Sequence, residues 1–345
     1  MLGHIIRSQE RRRATRDTNR VVLPFEWGAE YVSADADGRD PREAVLAAAR
    51  RAVAHSEEFY ALAPVGDYKL DGELLTWTSA VRSPTPENNT AHARLFPAQP
   101  PQRPRPGRRE PRRAVVVLPQ WNADEASHVA LCRLISRLGI TALRLTLPYH
   151  EARRPEGFQR AEYMVSPNVG RTLQALRQGV VDTRAAVAWL DAQGYERIGA
   201  MGTSIGSCTA FLAFVHDERI DAGVFNHVSG YVADVVWRGI STQHVRAGVE
   251  GALTLEELRE AWLPISPMSY AGRLAGLRRR PMRFIAARHD LTFPADLSRE
   301  VIAAVRATGV PVNVSWLPCG HYTSGERPWV YLDAWKILGF LRKNL

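Results

Sequence analysis

The chain has 345 residues, 45% of them hydrophobic, with 45 Lys and Arg against 36 Asp and Glu for a formal net charge of +9. That is enough apolar residue for a substantial core, as one large domain or one domain with an extension. Its apolar runs fall far short of the roughly 18 residues that a membrane span needs, which excludes a helical membrane protein. No apolar signal core of about 7 to 15 residues opens the chain, so a cytoplasmic location is expected. The three cysteines, Cys132, Cys208 and Cys319, show no C-x-x-C spacing. They predict neither a disulfide framework nor a zinc site, and no cofactor or metal is expected.

Residues 1–70 are expected to form an N-terminal extension with one helix. Asp40 is its N-cap, Pro41 its first position and Glu43 stands at N3, with Val45, Leu46, Ala49, Val53 and Phe59 on one side. The rest of the extension reads as irregular. Much of the positive charge sits in residues 7–20 and 103–113. Neither run is interleaved with aromatic residues for base stacking, so solvated linkers are expected and a nucleic-acid partner is not. Residues 73–78 and 92–96 alternate in polarity and read as antiparallel strands. A Pro- and Arg-rich linker loop follows at 98–113.

From there the pattern is strand, helix, strand, helix with continuously apolar strands, the signature of a mostly parallel sheet covered on both faces. Strands are predicted at 115–118, 140–147, 198–201, 223–228, 282–287 and 312–317. Helices are predicted at 125–138, from Ser166 as N-cap with Pro167 at N1, at 208–215, and at 331–341. Residues 229–270 form a helical excursion.

One strand ends in Gly202-Thr203-Ser204-Ile205-Gly206 and opens a small-residue helix. A serine on so sharp a strand-to-helix turn has strained backbone geometry, and glycines two positions either side leave room for the crossing chain. The N–H of Ile205, at a helix N-terminus, is placed to donate to an oxyanion. A serine nucleophile needs a histidine to take its proton and a carboxylate to fix that histidine's tautomer. The loops after the next strands offer both, Asp290 after 282–287 and His321 after 312–317.

With this order of serine, acid and histidine, residues 72–345 resemble the α/β-hydrolase superfamily. The resemblance implies a mostly parallel central sheet flanked by helices, a helical cap inserted at 229–270, and catalysis by Ser204, Asp290 and His321 without a cofactor. Asp290 also reads as the N-cap of the following helix, and Asp296 is the alternative acid. His289 reads as an exposed neighbour, and His227 and Asp234 as pocket-side structural residues. Cys319 reads as packing beside His321, since no strand-turn-helix surrounds it.

The second oxyanion donor belongs in the loop after 115–118, where that family commonly has His-Gly. This chain has Pro119-Gln120-Trp121 there. Proline has no N–H, which leaves Gln120 or Trp121, with Trp121 preferred by position. Tyr149, Trp237 and Trp262 are candidates for the pocket wall, and Arg153 and Arg154 for contact with an anionic substrate or with water. The expected activity is hydrolysis of a carboxylic ester, with a small acyl compound or lipid as substrate, through an acyl-enzyme. Amide or peptide cleavage and acyl transfer use the same triad. A protein binding nucleic acid or an anionic surface on a hydrolase scaffold is the alternative of another class.

Overall fold

The computed structural model describes residues 2–32, 38, 40–100 and 110–345; residues 101–109 of the expected linker loop lie outside the described residues. Helices α1 (Leu2–Ala14), α2 (Pro41–Ala54) and the single turn α3 (Ser56–Phe59) come first, followed by β1 (Lys69–Asp71), β2 (Leu74–Thr78) and β3 (Thr90–Phe96). The alternating part runs β4 (Arg113–Leu118), α4 (Val129–Arg137), β5 (Thr141–Leu145), α5 (Val169–Ala192), β6 (Arg197–Thr203), α6 (Ile205–His216) and β7 (Ile220–Asn226). The excursion contributes α7 (Val232–Arg238), α8 (Gln243–Val249) and α9 (Leu255–Ala261). The chain then closes with β8 (Met282–Ala287), α10 (Ala295–Ala307), β9 (Val312–Leu317) and α11 (Trp329–Asn344).

These strands form one sheet in the order β1-β2-β3-β5-β4-β6-β7-β8-β9. β4 to β9 are parallel, and β3 runs antiparallel to β5. Successive residues of β4 point to opposite faces, so Val115 and Val117 meet α4 and α11 while Ala114, Val116 and Leu118 meet α5 and α6. Because both faces are covered, the inner strands β4 and β6 to β8 are mostly apolar rather than alternating, whereas the edge strand β9 alternates, with Asn313 exposed. The chain steps from β4 outward to β5 and then back across β4 to β6. The crevice beyond the carboxyl ends of β4 and β6 is therefore the point of the sheet where a ligand site is expected.

Several local expectations shift. The long helix begins at Val169 with Asn168 as N-cap, its side chain accepting from the N–H of Arg171, and not at Ser166. The cause is a bridge between Glu26 and Asn168. The Pro167 carbonyl accepts from the Glu26 N–H, and the N–H groups of Val169 and Gly170 donate to Glu26 and Trp27, which keeps the chain extended through 167. Gly170 has no side chain because the Gly28 carbonyl lies against it. The helix expected from 125 starts at Val129, since the Asp124 carboxylate draws in the N–H and hydroxyl of Ser127 and His128 turns left-handed at φ 65°.

The N-terminal segment is not irregular and solvated. In α1 the residues Ile6, Glu10 and Ala14, spaced by four, are buried on one face. Arg13 pairs with Glu326, and Arg20 donates to Asp17, to the Tyr322 hydroxyl and to the Ile240 carbonyl. Two arginines of the basic run thus pack on the body. The excursion also lies against the body: α9 packs on α2, where Arg42 pairs with Glu257, and Trp262 is fully buried. No helix among the described residues is long and apolar enough to cross a membrane.

Candidate active site

β6 delivers Ser204 at φ 59° and ψ −124°, a conformation that side chains rarely adopt. The strain is held from both ends. The Ser204 N–H donates to the Asn226 carbonyl at 2.8 Å, and the Ser207 hydroxyl donates to the Ser204 carbonyl at 2.7 Å. A Cβ on Gly202 would run into the Gly206 carbonyl, and a Cβ on Gly206 into the carbonyls of Leu118 and Pro119. The second glycine is therefore what lets the serine turn press against the end of β4. Gly206→Ala is expected to push the two apart, lowering kcat by at least ~100-fold, the scale of a 1 Å misplacement. Steady-state kinetics beside a thermal melt check this, and wild-type turnover in a folded variant would refute it.

Ser204 Oγ lies 3.0 Å from His321 Nε2, and His321 Nδ1 lies 2.8 Å from Asp290 Oδ2. The other oxygen of Asp290 accepts from the N–H groups of Thr292 and Phe293 at 2.8 and 2.7 Å. Capping the turn and holding the histidine are therefore two simultaneous tasks of one carboxylate. Burial pushes the Asp290 pKa up, but the positive charge of His321, the nearby His227 and the hydrogen bond to His321 outweigh it and hold the group well below the usual carboxylate range. Burial likewise disfavours the imidazolium of His321. The charge and hydrogen bond of Asp290, with the charge of Glu10, outweigh that and raise His321 above its ordinary value.

The remaining candidates divide. Ile205 is the first residue of α6, and at the end of β4 Gln120 and Trp121 face the same cavity as Ser204. Among the described residues the backbone N–H groups of Ile205, Gln120 and Trp121 have no acceptor, whereas that of Asn122 is taken by His150 Nε2 at 2.9 Å. The Trp121 indole donates to the Ala161 carbonyl and its ring stacks on His244 at 5.6 Å, which fixes the loop. Asp296 pairs with Arg238 on the surface, away from His321. Burial pushes the Cys319 thiol up to about 12, so it is no ready nucleophile. His289 is partly covered by α1 at Gly3 rather than exposed, and Asp234 pairs with Arg259.

The three aromatic wall candidates do not line the cavity. Tyr149 is buried in the core at 1% exposure, with its N–H on Asn88. The Trp262 indole donates to the Val169 carbonyl deep against α5, and Trp237 packs under Arg246. A buried indole N–H usually takes an acceptor, and for Trp262 the backbone of α5 supplies it. The excursion reaches the cavity through Val232, Val235 and Val236 of α7 instead. Arg153 is not a substrate contact either: it is buried in an ion pair with Asp182 at 2.9 Å and donates to the carbonyls of Asn88 and Thr146. Arg154 is near the surface, on the Gln159 carbonyl.

The cavity measures about 640 Å³ and its lining is mainly apolar. Its polar residues include three that the sequence patterns had not marked: Asp17, Asp333 and Arg160. Asp333, on α11, accepts from Asn226 Nδ2 at 2.7 Å, and burial raises its pKa. His227, at φ 57°, sets Nδ1 3.4 Å from Asp290 and its ring 5.0 Å from that of His321. His227, Asp290 and His321 bring ligand-type atoms within 4.8 Å of one another. The atoms of His321 and Asp290 among them serve the hydrogen bonds that join His321 to Ser204 and Asp290, and among the described residues no other group of three or more such side chains comes together.

The architecture matches solved structures closely enough to name the fold. An acetyl xylan esterase from Paenibacillus sp. R4 is similar at a TM-score of 0.60 and 13% identity, over 94% of this chain and 100% of that one. This chain has the α/β-hydrolase fold. A puromycin-hydrolyzing peptidase of Mycobacterium tuberculosis is similar at TM-score 0.59 and 16% identity, over 82% of this chain and 48% of that one. An acylaminoacyl peptidase of Pyrococcus horikoshii gives 0.57 and 14%, over 81% and 49%. The α/β-hydrolase chain described here thus spans about half the length of those peptidases. No protein-family model matches its sequence, and no curated protein does.

Proposed function

We propose that this protein is a serine hydrolase that cleaves carboxylic esters through an acyl-enzyme. The observation that carries the reading is the 3.0 Å approach of His321 Nε2 to the hydroxyl of a backbone-strained serine at the wall of a mainly apolar cavity. In this mechanism neutral His321 takes the proton of Ser204 as its oxygen attacks the carbonyl carbon. Asp290 keeps the Nδ1 proton in place and stabilises the imidazolium. The N–H groups of Ile205 and of Trp121 or Gln120 receive the oxyanion, and His321 returns the proton to the departing alcohol. Water, deprotonated by the same histidine, then releases the acid.

Ester over amide is supported by the apolar lining and by an esterase of the same extent as this chain, against peptidases twice as long. Ester and amide series of graded acyl length test it: turnover of esters with a clear optimum in length is expected, and faster cleavage of matched amides would replace the ester reading. The wall of α7 predicts who sets that optimum. Val235→Phe is expected to cut kcat/KM for long acyl chains relative to short ones by ~10-fold or more, since a pocket discriminates per methylene at about that level. Trp262→Ala is expected to leave the ratio alone and destabilise the fold by ~3–5 kcal/mol. A changed ratio in the tryptophan variant and none in the valine variant would reverse the assignment.

A further inference from the structure

Glu10 is fully buried, and its two carboxylate oxygens accept from the N–H groups of Tyr322 and Thr323, at 3.0 and 2.8 Å. Those are the two residues directly after His321. The preceding residue is Gly320, whose missing side chain makes room for the Glu10 carboxyl: a Cβ there would overlap it. The loop has its own ties, Gly320 N–H to Thr323 Oγ1 and Ser324 Oγ to the His321 carbonyl. Among the described residues, Glu10 is the only anchor that reaches the loop's N–H groups from a distant part of the chain. Around it α1 is pinned further by Arg13 on Glu326, and the segment after α1 by Asp17 and Arg20 on the Tyr322 hydroxyl.

We propose that Glu10 is a positioning residue of the active site: through the backbone of residues 322 and 323 it sets the height of His321 over Ser204. In support, its negative charge adds to that of Asp290 in favouring the imidazolium. The proposal rests on His321 being the base of the hydrolase reading. A charged acceptor on two backbone N–H groups makes stronger bonds than a neutral one, and removing it leaves those buried donors unpaired. The groups facing His321 are Asp290 from the β8 loop, His227 from the end of β7, Phe293 and Ser204, with Glu10 from α1 behind the loop. Glu10 itself faces the Cys319 thiol and Tyr322.

The test is Glu10→Gln in the full chain, with Arg13→Ala as the control that loosens α1 but keeps the carboxylate. The glutamine variant removes a negative charge, so His321 is expected to lose its proton at lower pH. Its titration midpoint, followed by NMR of the imidazole, should fall by more than ~0.3 unit, a twofold change in proton affinity. The acid limb of kcat/KM should move the same way, and kcat should drop ~10- to 100-fold with KM little changed. The control should keep the wild-type midpoint. An unmoved midpoint in a folded glutamine variant overturns the proposal. If that variant does not fold, Glu10→Asp, which keeps the charge but withdraws it by one methylene, must lower kcat in a folded protein, and wild-type kcat with a wild-type midpoint overturns it. The imidazole titration needs no substrate. A wild-type enzyme inert to esters and amides would therefore sink the hydrolase reading while leaving Glu10 to be judged on its own.

Discussion

Ser204→Ala is expected to abolish covalent labelling by a fluorophosphonate reagent and to reduce kcat toward esters by ~10⁶-fold, leaving only what an oxyanion pocket and binding supply. His321→Ala should cost about as much, and the double variant should be barely slower than either. The reason is geometric. Oγ and Nε2 share one hydrogen bond at 3.0 Å, and neither partner advances the reaction without the other. Additive losses, or labelling that persists in the alanine variant at a different serine, would remove Ser204 from its role.

Asp290→Asn is expected to lower kcat on the order of 10⁴-fold, because an amide opposite Nδ1 favours the wrong imidazole tautomer. Two of its effects have distinct signs. Losing the carboxylate removes the interaction that raises His321, so the acid limb of kcat/KM should shift to lower pH even as the plateau collapses. In the wild type, with His321 held above its ordinary value of ~6.5, activity should fall away below a midpoint that lies above that pH. Asp296→Asn is the control, since that carboxylate sits on the surface with Arg238. A crippled Asp296 variant beside a mild Asp290 variant would move the acid. The Asp290 carboxylate, depressed in the fold, also contributes stability that is present above its unfolded pKa and lost as the pH falls through the folded one.

The parallel half of the fold was legible because its signals are local. β8 and β9 span 282–287 and 312–317, the ranges expected of them, and the serine turn is written in glycines that the crossing backbone requires. Legibility stopped where a distant segment decides. The start of α5 depends on Glu26, 142 residues before Asn168, and no pattern near Ser166 announces it. β1 is three residues long and exposed, so it has no buried face to produce a period. The tryptophans of the excursion are apolar and close in sequence to the cavity wall, but hydropathy does not tell a face turned to α5 from one turned to the serine. α1 was hidden for a different reason. The centre of its buried stripe is a glutamate, which any apolar periodicity counts as surface, and arginines fill the positions around it.

The contact between Glu10 and Thr323 joins residues 313 apart in sequence. A ribosome releases α1 well before the loop that receives it, and closing so long a loop gains its reward only when both segments are present. α1 therefore waits for its seat while the sheet between them is built. A chain cut short before residue 322 offers Glu10 neither of its two N–H partners, so the seat of α1 is complete only when two segments made far apart in time have met.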